Sequence, residues 1–377
     1  MRLLEFIYYL SILFAAALKS FAVSKIPIQE ITAEYIIYSG LLYIFFNYQQ
    51  LYKKKLMYTM VGYAVVLMIS AFFAIPNITL LQFNNSLLFP ILFLISAIFF
   101  YRQPDKVSYM KYVGIVGLVL AYFNLVRLST EANLRTTVTL QNNAGNTLVA
   151  ISPFIFLWRK DHIRIILLVV ILLGCLVALK RSGFIIFILI CLGYITVRTH
   201  KGIFSRSIIY SSLILMILWV VLVNNEDGVL LMDRLENAAE DGGSGRDDLI
   251  EHTFHLLSYN DFSDWFFGSG YESFRVDNWK YFNRLNTCAH NDYCEILYGA
   301  GAIALIYFIS IMVQLWKRVV VLYKQYNKYT LSFLSCFIVL FGASMFVCSF
   351  VHIWYYMLLY CLLGCLYSVT LSGYGKD

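Results

Sequence analysis

Five cations and one imidazole stand out from an otherwise apolar chain. Lys180-Arg181-Ser182-Gly183 interrupts the apolar stretch 163–197, and the gap is so short that it reads as a tight hairpin. A basic residue near hydrocarbon costs up to ~2.5–3.5 kcal/mol on insertion scales, so it usually faces a cavity or a partner. The plainer reading is that Lys180 and Arg181 mark the turn and snorkel to headgroups. Arg127 and Arg135 flank a short connection nearby in sequence, where the plain reading is a solvated loop charge; Arg246 follows a Gly-rich stretch. Guanidinium groups match phosphate oxygens in a fork geometry and stay charged at every accessible pH. Arginines of this kind converging on one cavity would bind a phosphorylated lipid, here a lipid diphosphate. The imidazole is His290, in Ala289-His290-Asn291-Asp292-Tyr293-Cys294-Glu295. Asp292 with Glu295 three residues on is a capping pattern that predicts a helix start. His290 then lies just before the first turn, where free N–H groups suit an anion and an imidazole can accept a proton near neutral pH. A hydrogen-bonded interfacial histidine is the alternative, and it applies equally to His252, His255 and His352.

The elements that must position these residues follow from hydropathy. Of 377 residues 60% are hydrophobic and 14% charged, with a mean hydropathy of +0.71. A soluble chain of this length carries nearly twice that charge. Apolar runs long enough to cross a bilayer must satisfy their own backbone hydrogen bonds, so they form helices. The alternation of barrel strands is absent. The predicted spans are 3–22, 31–51, 56–75, 86–101, 109–126, 144–158, 163–179, 183–197, 207–223, 291–315, 331–350 and 353–371. The first is too long for a signal peptide and lacks a small-residue cleavage site, so it reads as a retained span.

Sorting the +7 net charge by connection gives a topology. Arg2, Lys53-Lys54-Lys55, Arg102/Lys106/Lys111, Arg159/Lys160/Arg164, Arg198/Lys201/Arg206, Lys317/Arg318/Lys324/Lys328 and Lys376 fall on one side, 18 of the 29 basic residues. Only Glu5, Asp105, Asp161 and Asp377 accompany them. The positive-inside rule makes this side cytoplasmic, with both termini there and twelve spans between them. These basic loops argue for topology and not for nucleic-acid binding; Lys53-Lys54-Lys55 is an ordinary inside anchor. The expected organisation is N-terminal transmembrane helices over 1–126, central helices with the hairpin over 127–223, a large outer loop over 224–289, and C-terminal helices over 290–377. The loop holds 13 acidic against five basic residues, the aromatics Trp265, Phe266, Phe267, Tyr271, Phe274 and Trp279, and Gly242-Gly243-Ser244-Gly245. Apolar residues at 249, 250, 254, 256 and 257 predict a short amphipathic helix in it. Such a loop is a folded cap rather than a linker, and its aromatics are expected to fill that cap rather than stack on sugars.

Cys175, Cys191, Cys336, Cys348, Cys361 and Cys365 lie in apolar runs and act as small hydrophobes. Cys288 and Cys294 flank the predicted helix start and could pair or stay free. No Cys/His spacing suggests a metal site.

The ordered set Gln141-Asn142-Asn143-Ala144-Gly145-Asn146, Lys180-Arg181-Ser182-Gly183, Ser244-Gly245-Arg246, Phe267-Gly268-Ser269-Gly270-Tyr271 and Ala289-His290-Asn291 resembles the O-antigen ligase and O-antigen polymerase superfamily of bacterial surface-polysaccharide assembly. The resemblance covers roughly residues 140–315. It departs at Cys294, where Leu is common, and at the hairpin, which reads Lys-Arg instead of Ser-Arg. The resemblance implies an all-α polytopic membrane protein of GT-C-like fold, with a partly helical periplasmic loop, in the bacterial cytoplasmic membrane. It implies a glycosyltransferase that uses an undecaprenyl-diphosphate-linked oligosaccharide donor and a glycan acceptor, without metal or cofactor. Carried over, Arg181 and Arg246 grip the diphosphate with Arg127 and Arg135 nearby, and His290 is the general base. Lys180, Asn143, Asn291, Glu295 and Asp247 support them. Asp247, Asp248 and Glu251 could orient Arg246 or contact sugar. A single inverting displacement needs one base and good positioning, not paired carboxylates.

A polymerase of lipid-linked repeat units is the leading reading, and a chain-length regulator is the partner class to look for. A ligase passing finished glycan to lipid A-core uses the same donor end. A transporter or flippase would show internal repeats and helices broken at mid-membrane, and a non-catalytic scaffold would tolerate loss of Arg181, Arg246 or His290.

Overall fold

A computed structural model describes residues 2–21, 28–47, 49, 54–73, 80–130, 137–178, 181–200, 242–282, 288–347, 349 and 353–371. Of these, the side chains at 21, 28–29, 80–81, 127–130, 137–144, 176, 181, 199–200, 242–246 and 354 are outside the description. The expected span 207–223 therefore lies outside the described residues, as do Arg135, Lys180, Cys348 and His352.

The other eleven expected spans are helical. They are α1 (Arg2–Phe21), α2 (Ile28–Phe46), α3 (Lys55–Phe73), α4 (Leu80–Arg102), α5 (Met110–Thr130), α6 (Thr137–Ile155), α7 (Asp161–Val177), α8 (Arg181–His200), then, beyond the loop, α12 (Asp292–Lys324), α13 (Thr330–Phe346) and α14 (Met357–Leu371). The loop contributes α9 (Gly242–Leu257), α10 (Phe262–Phe267) and α11 (Ser273–Phe282). No strand occurs among the described residues. By length and composition five stretches can cross a membrane: Arg2–Ser20, Lys55–Phe73, Gln82–Arg102, Pro104–Val126 and Asp292–Lys324. Shorter apolar helices accompany them.

The packing is that of a bundle solvated by lipid. Large apolar side chains such as Leu42, Phe45, Phe72, Phe123, Ile166, Leu192, Ile306 and Val313 point outward, a surface water would not tolerate on this scale. In lipid the hydrophobic effect does not drive helices together, so close van der Waals packing at small residues must. Gly364 of α14 lies where any Cβ would overlap the Phe93 carbonyl of α4, and Gly40 of α2 receives Ile91 and Ile95. The α4 helix is buried on nearly every face as a result.

One end of the bundle gathers the basic connections. Arg102 pairs with Glu5 at 3.0 Å and donates to Asn47 at 2.7 Å, Lys106 sits over the Phe6 ring, and Asp161 pairs with both Arg164 and Arg198. The residues just before α12 lie at the opposite end.

Candidate functional site

His290 is presented by an unusual piece of backbone. Its φ is +51°, a left-handed conformation that an L residue with a side chain adopts at a cost of about 1–2 kcal/mol. Such strain, where tertiary contacts hold it, concentrates at functional positions. The next residue caps the helix: the Asn291 side chain accepts from the backbone N–H groups of Tyr293 at 2.9 Å and Cys294 at 3.3 Å. The expected capping pattern is thus shifted by one residue. Asn291, not Asp292, is the N-cap, because its extended backbone (φ −149°, ψ 118°) points the side chain at the free N–H groups. Glu295 reaches back past it, and its buried Oε1 accepts from the Ala289 N–H at 2.5 Å. The half-buried His290 ring lies with Nδ1 3.7 Å from the Cys288 Sγ. Cys288 and Cys294 do not form a disulfide in this structure, although both are buried.

Asp292, one residue into α12, is fully buried and accepts a short hydrogen bond from Ser349 beyond α13. A carboxylate in the first turn is favoured by the helix dipole. This contact ties the start of α12 to the far end of α13. There Gly342 receives Ile186, a little over one turn from Arg181 at the head of α8. The head of α8, where Arg181 stands, and His290 are therefore at the same end of the bundle.

The loop folds onto the same place. Leu249, Leu256 and Leu257 of α9 and Phe274 of α11 share a buried cluster with Ala289, Cys294 and Tyr298, so α9, which begins with Gly242-Gly243-Ser244-Gly245-Arg246, packs beside the His290 turn. Phe254 does not join this face and remains 55% exposed. The Gly268-Ser269-Gly270 turn docks backbone to backbone on α12: the N–H groups of Ser269 and Gly270 each donate at 2.9 Å, to the carbonyls of Tyr298 and Gly299. Those carbonyls are available because α12 breaks at Gly301 (φ 83°, ψ 171°). A Cβ on Gly301 would overlap the Phe266 carbonyl, and one on Gly268 would overlap Ala300. The expected continuous span 291–315 is thus two helical pieces. The α10 helix then rests on α3 through Phe73 and Phe267, stacked at 4.5 Å. On α10, partial burial, with the charge of Asp261 beside it, raises the Asp264 carboxyl above its ordinary value.

His252 and His255 have structural work: His252 hydrogen-bonds Asn278 at 2.9 Å and stacks on Phe282 at 3.8 Å, and His255 packs against Phe282 and Tyr259. The expectation that the loop aromatics fill a cap holds for Tyr271 and Phe274, both buried, but not for Trp265, Phe266 and Trp279, which stay exposed. There are too few apolar partners in so acidic a loop to cover them all.

Of the remaining expected residues, Arg181 and Arg246 stand in the first turns of α8 and α9, Arg127 near the end of α5, and Asn143 within α6, with side chains outside the description. Asp247 is exposed. Three polar residues absent from the expected set are more telling. Asn146 in α6, Ser182 in α8 and Asn84 in α4 are buried, and their side-chain polar atoms have no hydrogen-bond partner among the described residues. Buried polar groups are nearly always satisfied, so orphans imply water or a ligand. Asn146 and Ser182 belong to the two quoted motifs, whose polar residues inside apolar helices were the signal for them.

Helices with lipid-facing apolar flanks and a folded loop over one end mark a multi-pass membrane protein. Residues 166–309, a little over a third of the chain, match the family model described as O-antigen ligase. This match supports the O-antigen ligase and polymerase superfamily, on a stretch that runs from α7 through the loop to the broken α12. The Asn-rich motif at 141–146 precedes the matched stretch. No curated protein matches the chain.

Proposed function

We propose that this protein is a glycosyltransferase that polymerises undecaprenyl-diphosphate-linked oligosaccharide repeat units at the outer face of the bacterial cytoplasmic membrane. The observation that carries the reading is the packing of the family-matched loop on the start of α12, which brings the Arg246 helix beside the strained His290 turn. The glycine-rich first turn of α9 presents backbone N–H groups without side chains over them, and Arg246 follows at once, a combination suited to a diphosphate. Arg181, at the head of α8, is the second cation for the diphosphate, and Lys180, Arg127 and Arg135 are the further cations that the reading assigns to it. The diphosphate leaves more readily once its charge is neutralised. His290 takes the proton from the acceptor hydroxyl as that oxygen attacks the anomeric carbon. Asn291 and Glu295 hold the histidine turn, Asn143 and Asp247 flank the donor, and Asn146 and Ser182 supply hydrogen bonds to it. No metal is needed for this chemistry.

The description of the matched family favours a second reading, transfer of finished glycan to a different acceptor such as lipid A-core. Purified protein in nanodiscs, given the lipid-linked repeat unit, separates the two: a polymerase makes a ladder, whereas a ligase requires the second acceptor and adds once. His290→Ala is expected to lower turnover by about 10²–10⁴-fold, the usual contribution of a general base. Arg181→Ala and Arg246→Ala are expected to weaken donor binding. Undiminished turnover in all three, with normal protein levels, refutes the assignment.

A further inference from the structure

At the end of the bundle opposite His290 lies a cavity of about 800 Å³. It sits where α6 ends, α7 begins, α8 ends and α13 begins, next to the last turn of α12. The piece of that helix beyond its break at Gly301 runs to Lys324, and at 1.5 Å per residue it alone sets the cavity roughly 35 Å from the His290 end. It belongs to no step of the proposed transfer.

Six cationic side chains line it (Lys111, Arg159, Lys160, Arg164, Arg198 and Lys328) against two carboxylates, Asp105 and Asp161. Ordinary topological anchors extend into water, but two of these do not. Arg164 and Arg198 have side chains only 11% and 13% exposed, both held by Asp161. Arg164 also donates from Nε to the Trp158 carbonyl at 2.5 Å and from Nη2 to the Phe156 carbonyl, closing the end of α6. The α12 end is built with equal care: Tyr326 takes φ +54°, and the Asn327 N–H returns to the Leu322 carbonyl at 3.2 Å, a Schellman-type stop that delivers Lys328 to the cavity wall.

A second observation says what the cavity receives. A narrow apolar crevice between α5, α6 and α7, lined by Ile115, Leu118, Ile151 and Leu167, shares Lys111 and Trp158 with it. The Lys111 ammonium lies 5.2 Å from the Trp158 ring centroid and 4.8 Å from that of Tyr112, an aromatic and cationic rim of the kind found at a membrane interface. The crevice, about 10 Å³, is too small for an acyl chain, but the flank of α5 beside the chamber is lipid-facing, with Tyr112, Val116 and Val119 exposed, so a lipid could set its phosphate in the chamber and keep its chains in the bilayer against that flank. Basic pockets between transmembrane helices select anionic headgroups on these terms.

We infer that this cavity is a binding site for an anionic phospholipid of the adjoining leaflet, its phosphate held by Lys111, Arg159, Lys160 and Lys328 and its chains lying against the exposed α5 flank at Val116 and Val119. The full chain in detergent, titrated with phosphatidylglycerol, phosphatidylcholine or soluble glycerophosphoglycerol and read by native mass spectrometry, tests it. Phosphatidylglycerol is expected to be retained preferentially. The preference should fall about fivefold for each cation removed in the series Lys111→Ala, Arg159→Ala, Lys160→Ala. Equal retention of both lipids, or a preference that survives the triple substitution, overturns the site. Loss with the triple variant, with glycerophosphoglycerol binding as well as the lipid, overturns the lipid assignment in favour of a soluble phosphate. Glycan transfer is not the readout, so failure here leaves the proposed activity untouched, and the reverse.

Discussion

Glu295 shows how a single side chain can hold the strained backbone turn at His290. Its buried carboxyl accepts from the Ala289 N–H, and that bond pins the peptide immediately before the left-handed His290. Leaving a buried amide without an acceptor costs about 1–3 kcal/mol. Glu295→Ala is therefore expected to lower thermal stability by about that amount and to reduce turnover with His290 still present. Glu295→Gln, which keeps an oxygen at the same reach, should restore most of both. A melting curve in detergent together with a transfer assay reads this, and equal damage by the two substitutions would sink the positioning role. The sequence pointed to Glu295 as one half of a capping pair; it could not show that the acceptor serves Ala289, because that depends on the backbone turning at His290.

The G-x-G turn and α12 act as one unit. Gly268 and Gly301 both hold positive φ with extended ψ, a region open in practice to glycine alone, and each abuts backbone of the other segment. Gly268→Ala and Gly301→Ala are each expected to destabilise by at least about 1–3 kcal/mol, the scale of overpacking, and to make α9 to α11 more sensitive to protease than the bundle. Protease resistance equal to the unsubstituted chain would refute the docking role. Hydropathy reads residues 291–315 as a single span since Gly299-Ala300-Gly301 is as apolar as its neighbours. A break made by glycine, without proline, leaves no trace in a hydropathy window. It also removes the continuity of helices as an argument against a transporter, leaving the missing internal repeat.

Taken whole, the molecule has two chemically different ends joined by apolar helices. One gathers Arg102, Lys106, Lys111, Arg164 and Arg198; the other carries the acidic loop and the His290 turn. The positive-inside rule predicts that the first is cytoplasmic. Cysteines introduced at Arg159 and at Asp261, both exposed, are expected to react with an impermeant maleimide from opposite faces of sealed vesicles, Asp261→Cys from the outside of cells. Labelling of both from one face would overturn the topology and with it the outer-face assignment of the transfer.

Composition and the spacing of apolar runs determined the helical class and the position of eleven apolar helices among the described residues, because hydrocarbon leaves a polar backbone no other way to satisfy itself. Residue order alone also marked the loop helix at 249–257 and the His290 helix start, since amphipathic period and capping residues act within a few positions of chain. Only the tertiary structure decided that Asn291 is the cap, that α12 is broken, that half the loop aromatics stay bare, and that Asn146 and Ser182 are orphaned inside the bundle. Each of these depends on which segment, distant in sequence, arrives to fill or leave a space, and no local pattern encodes that arrival.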